Sequence, residues 1–526
     1  MVKLSKKLSL DSIFLIFLGM LTSLSLPPFN YFLINFFTFT LFFVFLFKRL
    51  NSQKVRKFYF LYGWLFGFGY FVTNLYWISI SLTFDQSLKF LIPLAIFLIP
   101  AFLALFYGMV TYCFSKLKKK NAINSFLIFS LLFGIFEFIR GSVLTGFPWN
   151  LIAYSFSSQL EIISITSIIG TYGFNLFCIS LFISPALLIL KDSKKQIGLF
   201  VFFIVCLLSF YVYGSYYKNK FNKADLIVHD YKVRAIGSSI GLDRYYSSNN
   251  QISVIEELIR ISKPNDDEKT IFIWPEGILP NISQKELIDY SWLFENKFNQ
   301  NHILAIGINS QISDENSTEY FNTFSIYDHK LNLLNSYNKI NLVPFGEFLP
   351  FESLFSKIGL KVITNNYQSY SRGKKRDIIE IKSEEISLKI LPLICYEIIY
   401  SGRIFNEINF DVIINISEDG WFGKSIGPKQ HFNHSIFRSI ESGKYIIRSA
   451  NNGTSAIINP IGEVEKSLDL NENGFIDFKE ERKIQPTVFS KLGNKIFVYL
   501  ILLYIFFIFS TNFNISKSRF KSNFKN

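Results

Sequence analysis

Cys395 closes the apolar stretch Ile386–Ile394 and stands in Leu391-Pro-Leu-Ile-Cys395-Tyr396-Glu397. The other cysteines, Cys113, Cys178 and Cys206, lie within long apolar runs. A thiol placed just after a strand-like run is a candidate nucleophile, although a buried structural cysteine is the commoner outcome. Two upstream segments add chemistry to it. Glu276 follows the run Ile271-Phe-Ile-Trp274-Pro275, and Lys339 precedes the turn Asn341-Leu-Val-Pro344-Phe345-Gly346-Glu347. Each alone reads as a solvent-facing charge. Together, a thiol, a carboxylate and an ammonium supply the parts of acyl transfer. A free cysteine has a pKa of about 8.5; a nearby lysine would lower it, a carboxylate would take the proton, and the lysine would also steady a tetrahedral oxyanion.

These residues need elements to hold them, and the chain is too large and too apolar for one soluble domain: 526 residues, 50% hydrophobic and 18% aromatic. A span needs about 20 predominantly apolar residues. Candidates run over 9–27, 30–47, 58–82, 88–114, 124–141, 162–190 and 197–215, with an eighth over 495–511. The net charge of +14 is unevenly placed. Five stretches hold nineteen basic residues against one acid, Asp192: Lys3, Lys6 and Lys7; Lys48, Arg49, Lys54, Arg56 and Lys57; Lys116, Lys118, Lys119 and Lys120; Lys191, Lys194 and Lys195; and Lys517, Arg519, Lys521 and Lys525. The short loops on the other side, around Thr83–Lys89 and Gly141–Leu160, carry only Lys89 and, at the edge, Arg140. This asymmetry marks cytoplasmic loops and not a nucleic-acid surface. It predicts eight transmembrane helices, both termini in the cytoplasm and residues 216–494 on the outer face. The first segment reads as an uncleaved span, because Ser23-Leu-Ser25 lacks the alanines of a cleavage site.

Residues 216–494 differ in composition and contain all five histidines. Strands are predicted at Leu226–Val228, Val233–Ile236, Thr270–Trp274, His302–Gly307, Thr323–Tyr327, Ser387–Ile394, Val412–Ile416 and Ser455–Asn459. Helices are predicted over Ile252–Ile261, Lys285–Phe298 and Gln430–Ser442. The alternation implies an α/β domain on a buried sheet. The expected organisation is a helical membrane domain over 1–215, a catalytic domain over 216–494, and a last span with a basic tail over 495–526.

The order Glu276, Lys339, Cys395, each near a strand end, resembles the nitrilase (carbon–nitrogen hydrolase) superfamily. That resemblance implies an α-β-β-α sandwich and a Glu-Lys-Cys triad. Further along, Ser417-Glu-Asp-Gly-Trp421-Phe422-Gly423-Lys-Ser425-Ile-Gly427-Pro428-Lys-Gln430-His431 and Arg448-Ser-Ala-Asn451-Asn452-Gly453-Thr454-Ser455 are similar to the apolipoprotein N-acyltransferase family. Gly67-Phe-Gly-Tyr-Phe-Val-Thr-Asn74-Leu-Tyr-Trp77 and Arg140-Gly-Ser-Val-Leu-Thr-Gly146-Phe147-Pro148-Trp149 extend the resemblance over nearly the whole chain. Two places depart from it: Asn341 stands where histidine is common, and Gly237-Ser-Ser-Ile240 replaces a Gln/Asn-containing turn.

The resemblance implies that Cys395 takes an acyl group from a phospholipid, usually phosphatidylethanolamine, and passes it to the α-amine of an S-diacylglyceryl cysteine on an apolipoprotein. This would occur at the bacterial inner membrane, with the catalytic domain in the periplasm. Glu276 would be the general base and Lys339 the oxyanion partner. Glu347 and Glu397 would orient Lys339 or Glu276, and Tyr396 would help close the site. Trp274, Trp421, Asn452, Trp149 and Arg140 are candidate substrate contacts. Glu137 and Arg140 read as an interfacial ion pair or as a headgroup contact, and Trp77 and Trp149 as interfacial-belt aromatics. His431 and His434 look like half a metal site without a third ligand. No phosphate loop or dinucleotide fingerprint occurs, so no cofactor is implied. A membrane-tethered nitrilase-type amidase would share the triad but needs only one span. A transporter would leave the outer domain without a role.

Overall fold

The computed structural model describes residues 2–49, 58–190, 193–245, 251–313, 315, 317–355, 357, 369–382, 386–404 and 407–523. Lys54, Arg56, Lys57, Lys191, Asp192 and Lys525 of the basic stretches lie outside the described residues. The chain forms two compact units. The first comprises Met1–Ser79, Leu91–Tyr217 and Lys491–Asn526; the second comprises Ile80–Phe90 and Lys218–Ser490.

The first unit is helical. Five described helical stretches are long and apolar enough to cross a membrane: Tyr59–Thr83, Gln86–Leu117, Ala122–Arg140, Thr166–Leu190 and Lys194–Asn222. Shorter apolar helices cover Ser9–Ser23 and Lys495–Thr511, and a further helix runs over Leu33–Arg49. The first two of the five begin or end in 3-10 turns, at Tyr76–Thr83 and Gln86–Leu91. Small residues allow backbones to meet. A Cβ added at Gly19 would come within 2.1 Å of the Phe66 carbonyl oxygen, and one at Gly69 within 2.1 Å of that of Ile16. The helices Val2–Ser23 and Tyr59–Leu75 therefore approach closely, as small residues permit in apolar surroundings.

The second unit is built on two sheets. One has the order β13-β1-β2-β4-β5-β6, with β3 alongside β4: β1 Leu226–Gly237, β2 Thr270–Ile273, β3 Leu279–Ser283, β4 His302–Ser313, β5 Thr318–Tyr327, β6 Leu333–Asn338 and β13 Gly474–Arg482. The other runs β12-β11-β10-β9-β8-β7: β7 Ile379–Lys382, β8 Ser387–Ile394, β9 Val412–Glu418, β10 Tyr445–Asn451, β11 Ser455–Ile458 and β12 Val464–Leu468. Parallel pairing joins β1, β2 and β4 in the first sheet and β8, β9 and β10 in the second. Of these, β2, β9 and β10 are buried along their whole length, as parallel strands covered on both faces must be.

One face of the first sheet meets the amphipathic helix Gln251–Ser262, whose Val254, Ile255 and Leu258 pack with Ile236, Phe272, Trp274 and Leu304. The sheets themselves touch where the Ser449 hydroxyl donates to the carbonyls of Ile236 (2.7 Å) and Ile273 (2.9 Å). The helix Gly427–Ser442 lies on the second sheet, with Ile436 and Ile440 beside Gly462. The result is a nitrilase-like α/β sandwich. Two expectations are corrected. Leu226–Val228 and Val233–Ile236 are one strand with a register shift between Val228 and Val233, not two. The helix expected over Lys285–Phe298 is instead a 3-10 turn, Glu286–Tyr290, followed by one helical turn, Ser291–Phe294. Asn296 then reverses the chain at φ 63°, which lets Phe298 reach the same core as Leu287 and Phe294.

Candidate active site

Three strand ends meet at one buried cluster. Glu276 lies in the turn after β2, Lys339 directly after β6 and Cys395 directly after β8. All three are almost inaccessible to solvent. Lys339 Nζ donates to Glu276 Oε1 (3.0 Å) and to Glu347 Oε1 (2.9 Å). Asn322 Nδ2 reaches the same two oxygens at 2.8 Å each. The other oxygen of Glu276 accepts from the backbone N–H of Glu418 (3.0 Å), and that of Glu347 from Val343 N–H (2.8 Å). Cys395 has φ 47°, in the left-handed region that a non-glycine residue enters only when its surroundings impose it. Glu397 fixes the elbow. One of its oxygens accepts from Ile394 N–H, the other from Ile340 N–H, Asn341 N–H, Tyr337 and Arg376, so the nucleophile turn and the lysine loop share one carboxylate.

Burial and the Glu276 carboxylate push the Cys395 thiol well above its ordinary range, while Lys339 and a hydrogen bond with Ser417 act the other way without prevailing. Lys339 thus pulls the thiol down as expected, but burial and Glu276 outweigh it, because the ammonium is already shared by two carboxylates. Burial alone would push Lys339 down, but Glu276 and Glu347 outweigh it and hold the ammonium charged well past its usual range. Burial raises Glu347 despite Lys339. Beneath the elbow, Arg448 Nη2 donates to both oxygens of Asp419 (3.0 and 2.8 Å), and His431 sits between Asp419 (2.9 Å) and the Cys395 carbonyl (3.3 Å). Burial favours the neutral carboxyl of Asp419, yet Arg448 and His431 keep it well below the usual carboxylate range.

Residues 18–184 match the apolipoprotein N-acyltransferase N-terminal domain, and residues 240–478 the carbon-nitrogen hydrolase family. An apolipoprotein N-acyltransferase of Rhizobium leguminosarum bv. trifolii is 32% identical over 88% of this chain and 89% of its own length. One from Rickettsia prowazekii is 34% identical over 95% and 97%. The chain belongs to the apolipoprotein N-acyltransferase family. It is an acyltransferase, and the cysteine-centred nitrilase-like fold suits a thioester mechanism.

Within this apolipoprotein N-acyltransferase fold, the structure brings Glu276, Lys339, Cys395, Glu347, Tyr396 and Glu397 together. Glu347 contacts Lys339 as expected, whereas the Glu397 side chain bonds neither Lys339 nor Glu276 and instead ties the backbone after Lys339 to the backbone before Cys395. Tyr396 is buried against Tyr400. Trp421 packs between Tyr245 (5.1 Å between ring centroids) and Phe84 (5.9 Å), and Asn452 Nδ2 donates to Ile240 O (2.9 Å) and Glu418 (3.2 Å). Three substrate-contact expectations are corrected. Trp274 is fully buried on the helix-facing side of β2, its Nε1 donating to Ser262 Oγ (3.0 Å). Arg140 and Trp149 are buried inside the helical unit. Arg140 forms the expected ion pair with Glu137, and both side chains are buried, which leaves the guanidinium no exposed face for a headgroup. Trp149 packs on Trp77 at 4.9 Å and both are buried in protein, so neither ring is exposed to a substrate or to lipid. Both His431 nitrogens face protein groups, and among the described residues no set of three His, Cys, Asp or Glu could hold a metal ion. Asn322, Glu418, Arg244, Arg376, Asp419 and Arg448 were not anticipated as site residues. Glu418, Asp419 and Arg448 fall inside the quoted motifs, whereas Asn322, Arg244 and Arg376 lie outside them and carry no signal in the sequence.

Proposed function

We propose that this chain moves a fatty acyl group from a membrane phospholipid, phosphatidylethanolamine being the expected donor, to the α-amine of the S-diacylglyceryl cysteine of an apolipoprotein, through a thioester on Cys395. The observation that carries this reading is the contact of Lys339 Nζ with Glu276 Oε1 at 3.0 Å beside a protonated thiol. In the first half-reaction the sulfur attacks the ester carbonyl as its proton passes to Glu276. Lys339 steadies the oxyanion, and Glu276 returns the proton to the departing glycerol oxygen, giving a lysophospholipid and the acyl-enzyme. In the second, the amine attacks the thioester, its proton goes to Glu276, and the thiol is regenerated. Two carboxylates share one ammonium, so the cluster retains a negative charge that favours a cationic acceptor and proton uptake from it.

The catalytic residues are thus Glu276, Lys339 and Cys395, with Glu347, Tyr396 and Glu397 in support and Trp421 and Asn452 beside the acyl acceptor. We place the first unit in the bacterial inner membrane as part of an eight-span topology with both termini cytoplasmic and the second unit in the periplasm. Drawing an acyl chain into water costs about 0.8 kcal/mol per CH₂, a cost that delivery from the bilayer removes. The deciding measurement gives purified protein phosphatidylethanolamine alone. About one equivalent of lysophospholipid per enzyme should appear, with a hydroxylamine-sensitive acyl mass on the Cys395 peptide, because a transferase keeps its thioester from water. A peptide beginning with S-diacylglyceryl cysteine should restart turnover, and Cys395→Ala should abolish both steps. Continuous release of fatty acid without acceptor would make the chain a membrane-bound hydrolase.

A further inference from the structure

Arg244 is buried next to the triad yet belongs to none of the motifs that identify the family. It follows β1, in the 3-10 turn Leu242–Tyr245. Its guanidinium touches both segments that hold Glu276. Nη2 pairs with Glu418 Oε2, and it also reaches the carbonyl of Gly277, the residue after Glu276, at 3.4 Å. Nη1 donates to Ile240 O (3.2 Å) and Gly241 O (2.9 Å), and the group lies 4.7 Å from the Tyr245 ring centroid. Glu418 is the residue whose backbone N–H donates to Glu276 Oε2. Its side chain is held in turn by Gly420 N–H (2.8 Å), Asn451 Nδ2 (2.7 Å) and Asn452 Nδ2 (3.2 Å). Asn451 also bonds Ser238 Oγ (2.6 Å) and Ile240 N–H (2.9 Å), so the Gly237–Ile240 turn that departs from the family pattern is woven into the same network.

We infer that Arg244 is a positioning residue for the general base, neutralising Glu418 and clamping its backbone N–H and the Gly277 turn on either side of Glu276. The inference rests on the acyl-transfer reading above. A surface brace would not need a buried cation, and burial raises the proton affinity of Glu418 against the pull of Arg244, so the cation has work to do there. Glu418 is faced by Arg244 and Tyr245, and Glu276 by Lys339, Glu347, Cys395, Tyr245 and Tyr370; apart from Arg244 itself, none of these changes in the variants below.

The test follows the single-turnover release of lysophospholipid from phosphatidylethanolamine against pH, using the full-length protein. Arg244→Met should slow release by about tenfold or more, a part of the 10²–10⁴ owed to a positioned proton acceptor, with the donor concentration dependence little changed. Its acid limb should move to higher pH, because burial already raises Glu418, and without Arg244 that carboxyl takes up a proton as pH falls and loosens its hold on the donors around it. Arg244→Met combined with Glu418→Gln removes that titrating group and should bring the acid limb back to the wild-type position. Arg244→Lys keeps the charge but not the fork, so it should lower the rate without moving the limb; it also serves if Arg244→Met fails to fold. An Arg244→Met or Arg244→Lys enzyme with wild-type rate, or a limb shift that Glu418→Gln does not reverse, would overturn the inference. Residual release by Cys395→Ala, run in parallel, would instead overturn the thioester reading.

Discussion

With Cys395 protonated at rest, its proton must leave as the carbon–sulfur bond forms, and the group that receives it must already be in place. Glu276 occupies that position, fixed by three donors from three elements. Its charge acts against the thiolate, so its two effects can be separated. In Glu276→Gln, loss of the negative charge should lower the thiol pKa, moving half-maximal iodoacetamide labelling of Cys395 to lower pH than in the wild type. Loss of the proton acceptor should slow lysophospholipid release by roughly 10²–10⁴. A labelling curve displaced to higher pH, or release at the wild-type rate, would remove Glu276 from the role of base. Glu276 and Cys395 were legible because each follows an apolar run that reads as a buried strand, whereas Lys339 follows the mostly exposed β6 and stood out only through the Pro- and Gly-rich turn after it and the family resemblance. Asn322 and Arg244 were not legible, since their partners lie 46 and 174 residues away along the chain and are joined to them only by the fold.

The helix Gly427–Ser442 holds two buried histidines, His431 and His434, whose burial disfavours the charged ring, more so for His434. A histidine whose folded pKa is depressed contributes stability that is complete above its unfolded value of about 6.5 and is lost as pH falls below it, because the unfolded chain takes up protons that the folded one refuses. The melting temperature in detergent should therefore fall between pH 7 and pH 5.5, and His434→Gln should flatten that decline. An equally steep decline in the variant would mean that other groups set it. Among elements, sequence pattern served buried strands and failed at edges. β8 and β9 were placed within two residues because they are continuous apolar runs. β6 and β12, with Leu333-Leu-Asn-Ser-Tyr-Asn338 and Val464-Glu-Lys-Ser-Leu468 mostly exposed, have no buried face to impose alternation, so nothing in their composition marked them. Of the substrate contacts expected from tryptophan alone, Trp274 failed because strand alternation turns it toward the helix.

Across the whole chain, hydropathy located the five long apolar helices, and the arrangement proposed for them in the bilayer is open to a direct check. In intact cells with the outer membrane permeabilised, a membrane-impermeant maleimide should label a cysteine placed at the exposed Lys330 and spare one placed at Lys119 or Lys194 until the inner membrane is opened. Labelling of Lys330→Cys and Lys194→Cys under the same condition would put both units on one side and exclude a periplasmic active site. One feature of the second unit bears on how such proteins can be recombined. Ile80–Phe90, flanked in sequence by two helices of the first unit, belongs to the second: Phe84 stands edge-on to Trp421, and Ile80 lies where a side chain on Gly423 would clash. The second unit is thus a discontinuous module. A chimera that took only Lys218–Ser490 from a relative would inherit a tryptophan loop fitted to another sequence at Ile80 and Phe84, so those eleven residues have to be exchanged with it for the graft to match.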